Sequence, residues 1–374
     1  MAVNLLAALD DERFGADALA RAHAEAARAG FRLRRVRGAD DDRLAAWIDF
    51  TFPGSFWSSE VRVGNAWVAE RDGEIAGFAG FDPHGLTFPW LRRWRDRADV
   101  GIFGPYGVGP VFRGAGAGAP LLSAALCGLR EAGYAHALIP ALSGERLIGM
   151  YVRRTGATAV DEFGYDTGRF RATILASGAG TNARNVLERV RDGALPLDVA
   201  AIVANDARAG ALEVARGHGV EGIPVLWDRA NESRAAFDAR VIDAVARTEP
   251  QLVLLLGWMH LLPPEFLSRF PETINVHPSY LPFDPAADEV VVPDGTTIPA
   301  LRGAHALRDA VRLGLRWSGV TVHRVTTQTD RGAVLVRTPV PVEAGASESD
   351  LREVVRPLEF SAVAKAIRRW TFER

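Results

Sequence analysis

Three apolar runs in the second half of the chain restrict the fold more than any other feature: RATILAS (171–177), VAAIVAN (199–205) and QLVLLLGW (251–258). Each is about a strand in length, and neither face of it alternates to polar, so each reads as a strand buried on both sides. Helical patterns, ARNVLERVRDG and FDARVIDAVART, separate them, with a further short strand expected at PVLW (224–227). Strand and helix in alternation imply a parallel sheet with helices on both faces.

The first half follows a different pattern. A helix is expected over roughly 7–29, a strand over 31–36 and a helix starting near 39–42. NAWVAERDGEIAGFAGF alternates on either side of Asp72-Gly73, a strong hairpin signal. DVGIFGPYGVGPVF reads as a strand and LLSAALCGLREAG as an apolar helix stopped by Gly133. The expected organisation is a helical segment over 1–30, a mixed-sheet domain over 31–169 and a parallel-sheet domain over 170–374. No long linker lies between the last two.

Composition removes several function classes. Lys+Arg (44) and Asp+Glu (46) nearly cancel, leaving a formal net charge of −2. Nucleic acid is therefore not an expected partner. No apolar run is long enough to span a bilayer, and the N-terminus carries acids where a signal peptide would carry bases. Neither a membrane partner nor a secretory route is expected. Cys127 is the only cysteine, so no internal disulfide or multi-cysteine zinc site can form; the expected compartment is a reducing cytoplasm, and no metal is expected.

Two stretches of the second half carry chemistry. Ser177-Gly178-Ala179-Gly180-Thr181-Asn182 joins a buried strand to a helix, where small residues let backbone N–H groups approach an anion. It is neither a Walker A loop nor a full G-x-G-x-x-G. Asp206, ending the next strand, raises the alternative of a nicotinamide oxidoreductase. In INVHPSYLP (274–282), Asn275 and His277 project from one face of a strand that Pro278 ends. Alone, the pair is also what a turn cap and a half-buried histidine would look like.

Taken in order, SGAGTN, LLLGWMHLL (254–262), NVHPSYLP and GVTVHRVTTQTDRGAVL (319–335) resemble the folate-dependent formyltransferases of the glycinamide ribonucleotide group, from Arg171 onward. That order weighs against the oxidoreductase. The resemblance implies a Rossmann-like domain and a catalytic trio of Asn275, His277 and Asp330. It places the acceptor's phosphate and ribose at Gly178, Ala179, Gly180, Thr181, Asn182, Pro278 and Glu359. The folate falls at Trp258, Met259, His260 and Leu262. It implies 10-formyltetrahydrofolate as formyl donor and a phosphorylated amine as acceptor. In the expected chemistry, Asp330 raises the His277 imidazole pKa, and His277 and Asn275 stabilise an oxyanion. Two departures leave the acceptor open: the loop between Pro282 and Arg302 is long, with an extra hairpin expected at Asp294-Gly295, and His260 stands where the family carries a basic residue.

In the first half, Arg113-Gly114-Ala115-Gly116-Ala117-Gly118 fits R-x-x-G-x-G between strand and helix. With GMYVRRTGA (149–157), it resembles the GNAT acyltransferases. That resemblance implies acetyl-CoA held by Arg113, Gly114, Gly116, Ala117 and Gly118, and Tyr151 as the acid for the departing thiolate. Asp82, His84 and Asp99 are the candidates for a general base. The fold class is thus α/β, a GNAT-like mixed sheet followed by a Rossmann-like parallel-sheet domain. The alternatives are a plain glycinamide ribonucleotide formyltransferase, a deformylating hydrolase, and an acyltransferase whose second half is a scaffold. Oligomeric state stays open, a homodimer being one option.

Overall fold

The computed structural model describes residues 1–38, 40–61, 64–82, 88–164 and 168–374. The chain forms two compact units, Met1–Thr51 with Trp57–Asp166 and Phe372–Arg374, and Phe52–Phe56 with Thr167–Thr371.

The first unit is a seven-stranded sheet in the order β2-β3-β4-β5-β6-β1-β7. Its strands are β1 (Ala2–Ala8), β2 (Arg32–Arg35), β3 (Ala66–Arg71), β4 (Glu74–Phe81), β5 (Val100–Val108), β6 (His136–Leu142) and β7 (Thr158–Phe163). Helices α1 (Ala18–Arg28), α2 (Asp40–Thr51), α3 (Pro89–Arg95), α4 (Gly118–Glu131) and α5 (Glu145–Thr155) accompany it. The β3–β4 hairpin turns on Asp72 and Gly73, both at positive φ (53° and 82°), as a two-residue type I′ turn requires. Only β5 and β6 run parallel, and they pair only through Val100–Ile102; from Phe103 onward β5 pairs with β4 alone. The sheet therefore divides along β5.

The N-terminal helical segment expected over 1–30 is corrected. Residues 2–8 form β1, which pairs with β6 on one side and β7 on the other; the helix begins only at Ala18. AVNLLAA is rich in helix-forming Ala and Leu, and pairing on both edges overrides that local preference.

The second unit is a seven-stranded sheet in the order β10-β9-β8-β11-β12-β15-β16. These strands are β8 (Phe170–Ala176), β9 (Leu197–Ala204), β10 (Glu221–Pro224), β11 (Leu252–Leu255), β12 (Thr273–His277), β15 (Trp317–Arg324) and β16 (Val334–Pro341). A separate hairpin, β13 (Glu289–Val291) with β14 (Thr297–Pro299), occupies the long loop, as the Asp294-Gly295 turn implied. The helices are α6 (Thr181–Arg191), α7 (Gly210–Gly217), α8 (Arg234–Ala246), α9 (Pro264–Arg269), α10 (Ala306–Arg312) and α11 (Glu348–Phe372). Strands β8 to β12 are parallel, while β15 and β16 are antiparallel additions. The fourth short strand lies at 221–224 rather than at PVLW, because β10 pairs in register with Ala201–Ala204 and the chain leaves the sheet after Pro224.

Along β8, Ala172, Ile174 and Ala176 pack on one face with α6, α7 and α11, and Leu175 packs on the other with Phe237 and Val241 of α8. Two-sided burial explains why these strands read as unbroken apolar runs. From β8 the chain winds outward through β9 to β10 and then returns to β11 on β8's other side. The strand order thus reverses between β8 and β11, and ligands of open α/β sheets lie outside the carboxyl ends at such a reversal.

Candidate functional site

The site is assembled where β12 ends. Asn275 and His277 leave that strand on one face, and β15 pairs with it so that Asn275 lies opposite His323. The loop from β15 to β16 returns Asp330 to the same point. Asp330 holds a left-handed backbone, φ 51°, which for a non-glycine residue costs about 1–2 kcal/mol and persists only where the surroundings enforce it. Those surroundings are extensive. His277 Nδ1 lies 3.4 Å from Asp330 Oδ2, His323 Nε2 lies 3.3 Å from Oδ1, and Asn275 Nδ2 donates to Oδ1 at 3.3 Å. The Gly303 N–H donates to Oδ2 at 2.8 Å.

The protonation pattern follows from the partners. A carbonyl can only accept, so His277 Nε2, 2.8 Å from the Leu301 oxygen, carries a proton. His323 Nδ1 carries one for the same reason, facing the Arg324 oxygen at 2.8 Å. The nitrogen of His277 left to exchange protons is Nδ1, on the Asp330 side. Burial would raise the Asp330 carboxyl, but the hydrogen bond with His323, the positive charge His277 carries once protonated and the Gly303 N–H reverse this and hold it well below the usual carboxylate range. For His277 the expected upward shift is corrected. At 4% exposure, burial outweighs the pull of Asp330 and of the Leu301 carbonyl, and the imidazole pKa is lowered.

A cavity of about 510 Å³ opens over this cluster. Its walls hold every residue proposed from the sequence for this half of the chain: the catalytic trio, Gly178–Asn182, Pro278, Glu359, Trp258, Met259, His260 and Leu262. Gly178 to Asn182 run from β8 into α6, whose first N–H groups have no side-chain cap. Gly180 is at φ 73°, and a Cβ there would stand 2.6 Å from the Ala211 Cα; Gly178 faces open space. Asn182 Nδ2 donates to Glu359 Oε2 at 2.9 Å, and burial pushes the Glu359 carboxyl up against that bond. Asp206, the acid of the oxidoreductase alternative, lies outside this cavity and accepts from the Arg208 N–H at 2.8 Å in a local turn.

Three further ionisable residues line this cavity that no sequence motif marks as site residues: His323, Arg352 and Arg356. His323 sits inside a quoted motif yet carries no signal apart from its strand partner. Arg352 and Arg356 share a face of α11 with Glu359, a spacing of four and three that marked a helix stripe but not what it faced.

In the first unit, Arg113 to Gly118 form the connection from β5 to α4, with Gly114 and Gly116 at positive φ. The nearest aromatic hydroxyl is that of Tyr106 rather than Tyr151: a Cβ on Gly118 would lie 2.5 Å from it. Tyr151 is buried behind, its ring 6.4 Å from that of Tyr106 and 6.0 Å from that of Phe103. Burial pushes the Tyr106 hydroxyl up to about 12 and that of Tyr151 higher still. Asp82 and Asp99, two of the general-base candidates, are not brought to this loop. In the β4–β5 register, Phe81 pairs with Phe103 and Gly77 with Val108, so Asp82 and Asp99 mark the end of β5 farthest from the glycines. A nine-residue strand spans about 30 Å. Asp82 instead accepts from the Tyr134 hydroxyl, and Asp99 pairs with Arg97 and His136. His84 lies outside the described residues. Among the described residues there is no cluster of His, Cys, Asp or Glu suited to a metal ion, and no helix long and apolar enough to cross a membrane.

Comparison with known proteins agrees with both halves. Residues 33–157 match the family model described as Acetyltransferase (GNAT) family, and residues 170–367 the one described as Formyl transferase. Phosphoribosylglycinamide formyltransferase of Mycobacterium tuberculosis is 35% identical over 200 residues, covering 53% of this chain and 83% of that protein. The protein of the same name from Escherichia coli is 33% identical over 187 residues, covering 50% and 80%. The crystal structure of glycinamide ribonucleotide transformylase 1 from Symbiobacterium toebii is 32% identical, covers 56% of this chain and 89% of that one, and superposes with a TM-score of 0.48. With more than half its length matched by that model, the chain belongs to the formyl transferase family and carries a GNAT-family segment ahead of it.

Proposed function

We propose that the second unit transfers the formyl group of 10-formyltetrahydrofolate to an amine of a phosphorylated or nucleotide-like small molecule in the cytoplasm. The observation that carries this reading is the Asn275–His277–Asp330 cluster opening into the same cavity as the Gly178–Asn182 loop. The acceptor amine attacks the formyl carbon. His277 Nδ1, unprotonated at rest, takes the amine proton as the new N–C bond forms and delivers it to the folate nitrogen as that C–N bond breaks. Asp330 stays ionised and stabilises the transient imidazolium. Asn275, whose amide N–H groups face Asp330 and His323 at rest, turns one of them to the tetrahedral oxyanion. The N–H groups opening α6, with Arg352 and Arg356, take the phosphate, and Glu359 takes hydroxyls. The segment Trp258–Leu262 lines the slot for the folate.

The names of the relatives favour glycinamide ribonucleotide as acceptor; the long loop and the fused first unit favour another amine in a dedicated biosynthetic route. The glycine loop ahead of α4 supports acyl transfer from acetyl-CoA as a second activity, with the Tyr106 hydroxyl beside that loop and Tyr151 behind Tyr106. The test is incubation with 10-formyltetrahydrofolate and a panel of phosphorylated amines, glycinamide ribonucleotide included, with products read by mass. A gain of one formyl group, abolished in His277→Ala, is the expected result. Formyl transfer that survives this substitution overturns the mechanism.

A further inference from the structure

The long loop between Pro282 and Arg302 is bound to the back of the Asp330 turn. Arg302 donates through Nη2 to the Ala287 oxygen at 2.7 Å and pairs through Nη1 with Asp288 at 3.3 Å. Its Nε donates to the backbone oxygen of Asp330 at 3.3 Å. On the other side, Arg331 donates to the Pro285 oxygen at 2.7 Å and pairs with Asp288. One exposed carboxylate thus bridges the two arginines that flank Asp330. The loop's exit continues the same contacts, since the Leu301 oxygen holds His277 Nε2 and the Gly303 N–H holds Asp330 Oδ2.

We propose that the loop from Pro285 to Gly303 is a positioning element for the His277–Asp330 pair, acting through the Asp288 bridge between Arg302 and Arg331. The physical need for it is local. Asp330 sits at a positive φ that it would leave if unsupported, and two arginines side by side repel unless a carboxylate joins them. The long loop is then part of the catalytic support, whatever it also contributes to acceptor choice. The proposal rests on the formyl-transfer reading for what the pair does, and on geometry alone for how the pair is held.

The groups facing His277 are Asp330 and His323 from β15 and the turn after it, and Arg302 from the loop. This makes Arg331→Gln a test with a definite sign. Removing a positive charge raises a nearby imidazole pKa by the field effect, whereas losing Asp330 from its place lowers it. In the full chain, 15N NMR of the His277 ring, assigned by comparison with His277→Gln, should show its titration midpoint falling by about half a pH unit or more. Asp288→Ala should shift it the same way, and Asp288→Glu should restore the wild-type value. Thermal midpoints should stay within about 3 °C of wild type, since Asp288 is exposed, Arg331 reaches solvent and neither belongs to the apolar core. A rise, or superimposable titrations in both Arg331→Gln and Asp288→Ala, overturns the proposal. The measurement needs no substrate, so it can fail while formyl transfer stands, and formyl transfer can fail while it holds.

Discussion

Two glycines two residues apart in the same loop should respond to alanine in opposite ways. Gly180 is at φ 73°, and an added Cβ would stand 2.6 Å from the Ala211 Cα and 3.1 Å from its N, both backbone atoms that cannot swing aside. The left-handed conformation costs a non-glycine residue about 1–2 kcal/mol, and the forced shift of α7 against α6 adds about 1–3 kcal/mol. Gly180→Ala should therefore lose roughly 2–5 kcal/mol, lowering the melting temperature of the second unit by roughly 5–15 °C. Gly178 has a φ outside the positive range and nothing within 4 Å of an added Cβ. Gly178→Ala should fold with a stability change within about 0.5 kcal/mol. Its methyl would occupy space above the α6 N-terminus, so KM for the phosphorylated acceptor should rise about tenfold or more while KM for 10-formyltetrahydrofolate stays put. Calorimetry and steady-state kinetics on the two variants make the comparison. A Gly180→Ala protein as stable as wild type, or a Gly178→Ala protein with unchanged acceptor KM, would refute the reasoning about that position.

Replacing Asp330 by Asn, which keeps shape but not charge, should lower kcat by about 10²–10⁴ with little effect on either KM, as expected for a group acting on proton transfer. The depressed His277 pKa makes folding pH-dependent: the unfolded ring binds a proton below 6.5 and the buried ring resists it. Stability is thus present above 6.5 and lost as pH falls through the folded value; urea titrations at pH 7.5 and 5.5 should show a loss in wild type that is smaller in His277→Gln. In the first unit, Gly118→Ala brings a methyl to 2.5 Å from the Tyr106 hydroxyl and should cost about 1–3 kcal/mol. Removing that hydroxyl in the Tyr106→Phe background should recover most of the loss, and additive effects in the double mutant would show that the two do not meet.

What the sequence determined by itself is local or ordered along the chain. Period and apolarity placed β8, β9 and β11, because burial on two faces leaves a continuous apolar signature. Asp72-Gly73 specified its turn, because few residue pairs accept positive φ twice. The order of four motifs identified the formyl transferase family, and the trio fell within one cavity because β12 and β15 pair there. Tertiary structure decided the rest. The strand at Ala2–Ala8 exists only because two edges await it. His323, Arg352 and Arg356 become site residues through a strand register and a helix orientation that no spacing encodes. The His277 pKa is lowered, not raised, because the depth of burial is a property of the folded chain. Asp288, an unremarkable acid in the sequence, gains its place by bridging two arginines 14 and 43 residues further on. Contacts of that kind arise from how separate loops meet, and a one-dimensional pattern does not carry them.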